Sequence, residues 1–346
     1  MSASLDAPAR RFRPPGGARH VGSLAAVPLI LLMLVAGIVS ADPPAAAVRL
    51  SAADAARAGS TIGLVRHAVA GDTLIEVLPA RGIADAGPAA NLLAVSPNGA
   101  AAALADQVGE LSGSLTVARA DGSQLRVQLP GIIAASFAAD GAWLAVIDGR
   151  GALWQVDAES GDAIPLAEGP FLGTPIATAD GSLLLLSVSS VEAPYRSRLV
   201  RFAPSTGVAT LLSPDELVYA AFALADGGVA VAAHEPGRTF VARIGVGGDA
   251  ASQLLADLGP GAVNVAVSGD AQKIAFEAAG LGIFLIDSPG ARPRRLGDGS
   301  NPCFAGDGSA LLIRRGAGSV ALALDGSTLA AVDGAARFAG AAGCPS

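Results

Sequence analysis

The stretch AARFAGAAG at residues 335–343 decides how the chain is organised. It repeats the pattern of CFAGDG at residues 303–308, in which a short apolar run leads into a turn. Similar stretches recur along the chain as LLAVSPNG (92–99), AASFAADG (134–141), PIATADG (175–181), AAFALADG (220–227) and VAVSGDA (265–271). Residues 335–343 therefore resemble the opening of a unit whose other parts do not follow them.

The copies are evenly spaced. Their turn residues lie 42, 40, 46, 44 and 37 residues apart, at Asn98, Asp140, Asp180, Asp226, Asp270 and Asp307. This is the period of a four-stranded propeller blade. Between the turns, short aliphatic runs alternate with Asp-Gly and Ser-Gly pairs, which favour hairpins because Gly and Asp tolerate positive φ. The pattern predicts an all-β propeller of four-stranded blades over residues 60–346.

The two ends of this domain complement each other. STIGLVRHA (60–68) and DTLIEVLPA (72–80) indicate the second and third strands of a blade that has no first strand nearby. AARFAGAAG supplies a first strand, and pairing the two ends would leave no open sheet edge. We predict seven blades, the closing blade being split between the ends. The alternative is six blades, with residues 60–80 as an added outer hairpin and the C-terminal stretch as a cover.

The repeat resembles TolB-type propeller repeats, relatives of the WD repeats, in which a Ser-Pro-Asp-Gly turn leads into an apolar strand. Ser96-Pro97-Asn98-Gly99 followed by AAAALA carries the resemblance best, and residues 139–141 and 306–308 are shorter copies. The resemblance covers residues 60–343. It implies a scaffold that hosts binders and several classes of enzyme, so it transfers no catalytic residue to this chain.

The first 59 residues differ from the rest. Residues 1–22 contain Arg10, Arg11, Arg13 and Arg19, residues 23–41 are uncharged and apolar, and residues 42–59 are rich in Pro and Ala. About 20 apolar residues can cross a bilayer, and arginines before the span favour a cytoplasmic N-terminus. We predict a single transmembrane helix at 23–41 and an extracytoplasmic domain after the 42–59 linker. The alternative is a signal sequence cleaved near Ala41, which would release a secreted or periplasmic protein.

The composition limits the function classes. The net charge of −7 argues against a nucleic-acid partner. The histidines are His20, His67 and His234, and no Ser stands in a Gly-x-Ser-x-Gly setting. The repeated Asp residues are typical of turns, since a calcium loop would concentrate several ligands in one loop. The sequence therefore assigns no catalytic, cofactor-binding or metal-binding residue.

The repeat also sorts the connections into two faces. The loop face carries the connections between second and third strands and the links between blades, whereas the turn face carries the remaining turns. We expect the loop face to collect arginines and the turn face to collect the Asp turns. The expected loop-face bases are Arg66, His67, Arg150, Arg196, Arg198, His234, Arg238, Arg314 and Arg315. The candidate binding loop comprises Tyr195, Arg196, Arg198, His234, Arg238 and Arg150, because Tyr and Arg together are typical of interface anchors.

The sequence contains two cysteines, Cys303 and Cys344. Each lies in or next to one of the two related stretches, and an oxidising compartment would permit a disulfide between them. The alternative is two unpaired thiols in neighbouring strands.

These features predict a membrane-tethered extracytoplasmic propeller that binds a protein or a cell-envelope polymer. Two alternatives stay open. One is a propeller hydrolase or lyase with its site in the central channel, and the other is a scaffold without a ligand of its own.

Overall fold

The computed structural model describes residues 47–57, 62–78, 92–106, 113–188, 197–213, 217–244 and 252–339. All of them belong to one compact unit, Ser40–Ser346. The predicted span at 23–41 lies outside the described residues. Among the residues that are described, no helix is long and apolar enough to cross a membrane.

The described elements are one short helix and 28 strands. The helix α1 is Ala52–Arg57, and the strands in chain order are β1 (Val48–Leu50), β2 (Gly63–Val69), β3 (Asp72–Leu78), β4 (Leu92–Val95), β5 (Ala101–Ala105), β6 (Gly113–Arg119), β7 (Gln124–Leu129), β8 (Ala134–Phe137), β9 (Trp143–Ile147), β10 (Leu153–Asp157), β11 (Ala163–Ala167), β12 (Phe171–Ala177), β13 (Leu183–Val188), β14 (Ser197–Ala203), β15 (Val208–Leu211), β16 (Leu217–Ala223), β17 (Val229–Glu235), β18 (Arg238–Ile244), β19 (Gln253–Gly259), β20 (Ala262–Val267), β21 (Ile274–Ala278), β22 (Gly282–Ile286), β23 (Arg294–Gly297), β24 (Ser300–Phe304), β25 (Ala310–Arg315), β26 (Gly318–Ala323), β27 (Thr328–Val332) and β28 (Ala335–Phe338).

The strands form seven antiparallel sheets, and each sheet is one blade. Blades 1 to 6 begin at β4, β8, β12, β16, β20 and β24, and each uses four consecutive strands from the inside outwards. Blade 7 has the order β28-β3-β2. The predictions of a seven-bladed propeller and of a split closing blade are confirmed, and the six-blade alternative is wrong.

The order of the strands in blade 7 differs from the predicted order. The strand at 72–78, and not the one at 63–69, pairs with the C-terminal strand, so β3 is second and β2 third from the inside. Register explains the order. Val77, at the end of β3, pairs with Ala335, at the start of β28, so β3 ends at the face from which innermost strands begin. The next described strand, β4, is the innermost strand of blade 1 and begins at that face.

The segment predicted as a linker is partly structured. Val48–Leu50 pairs with β7 as a fifth strand at the outer edge of blade 1. An outermost strand otherwise presents unpaired backbone groups, and this pairing covers part of that edge.

Blade 7 packs against both of its neighbours and closes the ring. On one side Leu74, Ala336 and Phe338 share a buried cluster with Leu312 of blade 6. On the other side Val77 and Ala335 share a cluster with Leu92 and Ala102 of blade 1. The amide of Gly306 also donates a 2.7 Å hydrogen bond to Asp72, and the Ser309 hydroxyl donates one of 3.1 Å to the Ala70 carbonyl.

These two bonds place the β2–β3 turn on the turn face, beside the turn that contains Asp307. Arg66 and His67 lie close to that turn, and Arg66 Nη2 donates a 3.0 Å hydrogen bond to the Asn98 carbonyl in a turn of blade 1. The prediction that Arg66 and His67 belong to the loop face is therefore wrong, because the order of β2 and β3 is reversed relative to the other blades.

The repeated turn residues cap their own backbone. A side-chain oxygen accepts a hydrogen bond from the amide two residues later at each of Asn98, Asp140, Asp180, Asp226, Asp270 and Asp307, over 2.8–3.1 Å. The hydrogen bond from the Thr178 hydroxyl helps to lower the pKa of Asp180 to about 2. The turn-forming interpretation of these residues agrees with this geometry.

Ring closure can be tested with Phe338→Ala. Phe338 is 1% exposed, so truncation should cost about 3–5 kcal/mol of unfolding free energy. The control is Leu281→Ala, because Leu281 is 61% exposed and its truncation should change stability little. Chemical denaturation measures both variants. A Phe338→Ala protein as stable as the control would contradict the packing of β28 into the ring.

Candidate functional site

The loop face brings together hairpins from consecutive blades. Gly149–Gly151 connects β9 to β10 in blade 2, and Pro236–Gly237 connects β17 to β18 in blade 4. In blade 3 the corresponding connection runs from Val188 to Ser197, and its residues 189–196 lie outside the described part of the chain. Tyr195 and Arg196 belong to that connection, so their predicted role stays a prediction.

Arg150 stands on a rigid hairpin in blade 2. The Asp148 carboxylate, 1% exposed, accepts hydrogen bonds from the amides of Arg150 (2.8 Å) and Ala152 (2.9 Å) and from the indole N–H of Trp154 (2.9 Å). Arg150 itself is exposed, and no described residue forms an ion pair with it within 4.0 Å. The hydrogen bond to Asp148 holds the backbone of Arg150 in place, and its side chain extends from there into solvent.

Arg198 lies at the base of the blade 3 connection. It is half-buried on β14 and pairs in register with Ser187 of β13. The neighbouring Ser197 hydroxyl donates a hydrogen bond to the Val218 carbonyl of blade 4. The base of the connection is thus fixed against the next blade.

His234 belongs to a packed cluster in blade 4. Its ring stacks on Tyr219 with centroids 4.3 Å apart, and Nδ1 lies 2.9 Å from the Thr239 hydroxyl oxygen. That hydroxyl in turn donates a 3.2 Å hydrogen bond to the Ala262 carbonyl. Burial lowers the pKa of His234 below its ordinary value, which favours the neutral ring at pH 7. His234 therefore contributes a ring surface, and not a positive charge, to the loop face.

Arg238 is held by its neighbours. Its Nε lies 2.8 Å from Glu235 Oε2 and its Nη1 lies 3.6 Å from Asp257 Oδ2, while the guanidinium carbon sits 5.1 Å from the centre of the Phe240 ring. The hydrogen bond and charge of Glu235 raise the pKa of Arg238. The carboxylates of Glu235 and Asp257 offset the positive charge of Arg238, so Arg238 adds little positive potential to the loop face.

The two faces are less different in charge than the sequence suggested. On the turn face, Arg201, Arg243 and Arg294 pair with Asp180, Asp226 and Asp287. These arginines occupy strands whose ends reach the turns, an arrangement that the turn motif alone does not display. The expected separation of charge by face is therefore incorrect for the described residues.

The central channel is the second candidate site. Residues from the innermost strands of all seven blades enclose about 340 Å³. The sequence predicts an apolar or small-residue lining, and the lining is of that kind apart from Arg337 of β28. Among the described lining residues Arg337 is the charged one, and burial lowers its pKa to about 10.

The sequence analysis missed Arg337, although the repeat contains the signal. Counted from the turn, the equivalent positions in blades 1 to 6 are Ala94, Ser136, Ile176, Phe222, Ala266 and Cys303. An arginine at this position in one copy out of seven departs from the pattern of the other six.

Cys303 also lines the channel and is disulfide-bonded. Cys344 lies outside the described residues, so the pairing of Cys303 with Cys344 stays a proposal.

Comparisons with known proteins agree with the architecture. No protein-family model matches the chain, and no curated protein matches it either. Among solved structures, TolB from Acinetobacter baumannii is similar with a TM-score of 0.50 and 16% identity, over 84% of this chain and 86% of that one. The chain has a TolB-like propeller fold.

Two further solved structures are more distant. The oligogalacturonate lyase from Vibrio parahaemolyticus gives a TM-score of 0.47 and 12% identity, over 78% of this chain and 95% of that one. The Cps50 (Swd1) propeller domain from Myceliophteria thermophila gives a TM-score of 0.49 and 10% identity, over 71% of this chain and 87% of that one. At these identities the likeness of the TolB structure concerns the fold alone, and function has to be argued from this chain's own residues.

The packed state of His234 predicts a pH effect on stability. A folded-state pKa below that of the unfolded chain means that the unfolded chain binds the proton more readily. The neutral ring therefore stabilises the fold above about pH 6.5, and this contribution is lost as the pH falls through the unfolded and then the folded pKa.

His234→Phe keeps an aromatic ring beside Tyr219 and cannot be protonated. We expect its melting temperature to fall less between pH 7 and pH 5 than that of the unmodified protein. Equal slopes in the two proteins, measured by calorimetry, would show that His234 does not titrate below its ordinary range.

Proposed function

We propose that this chain is a membrane-tethered, extracytoplasmic propeller that binds another protein or a cell-envelope polymer through its loop face. The anchor would be residues 23–41. The observation that carries the proposal is the origin of the described candidate residues in three consecutive blades: Arg150 in blade 2, Arg198 in blade 3, and His234 and Arg238 in blade 4.

Hydrogen bonds join these neighbouring blades. The Gly151 carbonyl, next to Arg150, accepts a 2.9 Å hydrogen bond from the amide of Phe171 in blade 3. The Pro170 carbonyl accepts a 3.0 Å bond from the amide of Val188, where the blade 3 connection begins. The connection that carries Tyr195 and Arg196 therefore begins beside the blade 2 hairpin, and it ends where Ser197 contacts blade 4.

The charges indicate what such a partner would offer. Arg150 is exposed and Arg196 belongs to the blade 3 connection, whereas Arg238 is already compensated by Glu235 and Asp257. Arginine binds carboxylates and phosphates through parallel hydrogen bonds, so an acidic group on the partner fits Arg150 and Arg196. Tyr195 and the His234 ring would supply apolar contact beside them.

Site-specific photo-crosslinking in cells tests the proposal. A photoreactive amino acid at Pro236, exposed on the loop face, should give an adduct in the membrane fraction. The same amino acid at Ser205, exposed on the turn face, is the matched control and should not give that adduct.

Two changes should lower the yield of the Pro236 adduct. The double variant Arg150→Ala, Arg196→Ala should reduce the yield at least about tenfold, because two charge-assisted contacts would be lost. Arg292→Ala on the turn face should leave the yield unchanged. Deletion of residues 23–41 should abolish the adduct by keeping the protein in the cytoplasm. The same adduct from Ser205, or an unchanged yield after either of the two changes, would refute the proposal.

A further inference from the structure

The turn face contains a cleft between blades 2 and 3, with a volume of about 440 Å³. Its rim consists of three turns, at residues 138–140, 179–181 and 204–205. Its floor carries Trp143 of β9 and Gln155 of β10. Most of the rim is exposed, so the cleft opens to solvent. A cleft of this volume can hold a small molecule or one long side chain.

The floor of the cleft departs from the repeat. Blades 1, 5 and 6 join their first two strands in the same register as blade 2. In these blades the position of Trp143 is taken by Ala101, Lys273 and Ala310, and the position of Gln155 by Val117, Leu285 and Ala321. Blade 2 therefore places an indole and an amide where the corresponding blades place mostly small or aliphatic side chains.

Trp143 is held in place by packing. It is half-buried and lies against the cluster that blades 2 and 3 share, which includes Leu153 and Phe202. Its indole N–H makes no hydrogen bond to a described residue, whereas that of Trp154 donates to Asp148. Part of the Trp143 ring is thus fixed by the blade interface, and the rest of the ring faces the cleft.

Two polar side chains of the cleft have unused hydrogen-bonding capacity. The amide of Gln155 makes no hydrogen bond to a described residue. Asp140 Oδ1 accepts a 2.9 Å hydrogen bond from the Ala142 amide, and no described residue forms an ion pair with this carboxylate within 4.0 Å. Asp180, on the blade 3 side of the rim, is already paired with Arg201. The cleft therefore has one negative charge that no cation of the described chain offsets.

These groups match a primary ammonium group on an alkyl chain. An ammonium group has three N–H donors, which can serve the Asp140 carboxylate and the Gln155 carbonyl. The face of an indole such as that of Trp143 attracts the same cation. The alkyl chain has apolar surface to lie against at Ala138 and Pro204. The charge of Asp140 disfavours anionic ligands.

We propose that the cleft between blades 2 and 3 binds a primary alkylammonium group, with the nitrogen at Asp140 and the alkyl chain on Trp143. The group belongs either to a free amine or to a lysine side chain of another protein, and the two sources share this chemistry. The site is separate from the loop face and does not depend on the function proposed above.

Pentylammonium and 1-pentanol form a matched pair of probes, since they share the alkyl chain but differ in charge. The sequence contains two tryptophans, so NMR of the full-length protein resolves two indole N–H signals. Pentylammonium should shift the signal of Trp143 and leave that of Trp154, which is 2% exposed. 1-Pentanol should bind at least about fivefold more weakly, because it lacks the charge. Added salt should weaken the binding of pentylammonium, since Asp140 is exposed.

A lysine peptide distinguishes the two sources of the ammonium group. If acetyl-Ala-Lys-Ala-amide binds more tightly than pentylammonium, the site is one for a lysine side chain, and if it binds more weakly, the site is one for a free amine. In either case the same peptide with an acetylated lysine should bind at least about fivefold more weakly than the unmodified peptide, because acetylation removes the charge.

Variants connect the binding to Asp140 and Trp143. Asp140→Asn removes the charge and keeps the turn, since Asn98 caps the equivalent turn of blade 1 with its own side-chain oxygen. It should weaken pentylammonium binding at least about fivefold and make the two probes nearly equivalent. The matched control is Asp325→Asn, because Asp325 is an exposed turn residue that caps the Ser327 amide in blade 6, and this variant should bind like the unmodified protein.

The indole has its own test. Trp143→Leu should also weaken pentylammonium binding, whereas Trp143→Phe should lose less because it keeps an aromatic face. Thermal unfolding without ligand checks that each variant is folded. Asp140→Asn should melt like Asp325→Asn, since both keep the turn cap.

Three results would overturn the proposal. The first is pentylammonium binding to the folded Asp140→Asn variant within twofold of the unmodified protein. The second is equal affinity of the unmodified protein for pentylammonium and 1-pentanol. The third is a Trp143 indole signal that does not move at any soluble concentration of pentylammonium. Each of these results is independent of the crosslinking result at the loop face.

Discussion

The pairing of β28 with β3 is the interaction on which the rest of the structure depends. It joins residues about 260 positions apart in sequence and turns an open row of six sheets into a ring. Without it blades 1 and 6 would expose Leu92 and Leu312, which are now buried against blade 7. Closure also creates the channel, because a channel needs a wall on every side, and it places Arg337 in that wall.

The composition suits this ring. Blades pack face to face through Ala, Val and Leu, and side chains as small as Ala102, Ala103 and Ala321 are completely buried. Most of the stability then comes from many small contacts, each weak, and from turns that hold the strands at fixed separations. The Asn and Asp turn caps supply that geometry in all six complete blades and leave the loop face free to vary in length.

Most of the fold could be predicted from the sequence because the turn residues recur at a regular spacing. Asn98, Asp140 and the later turn residues set the period of the blades. The order of β2 and β3 could not be read, since strand order within a split blade is decided by where β3 must end relative to β4. The pairing of Val48–Leu50 with β7 was equally hidden, because a single short edge strand carries no repeat signal. Arg337 stands out among the seven copies, but the sequence does not show that its side chain lines the channel.

Two surfaces of different chemistry follow from one topology. The loop face gathers residues from the connections of blades 2 to 4, and the channel gathers residues from the innermost strand of every blade. The central claim, that the C-terminal strand closes the ring, is tested most directly by native-state hydrogen exchange. The account predicts that the amide of Ala339, bonded to Thr73, exchanges only through global unfolding, at the same rate as Val146 in the middle of blade 2. Exchange of Ala339 orders of magnitude faster than Val146 would contradict it, because β28 would then detach while the other blades stay folded.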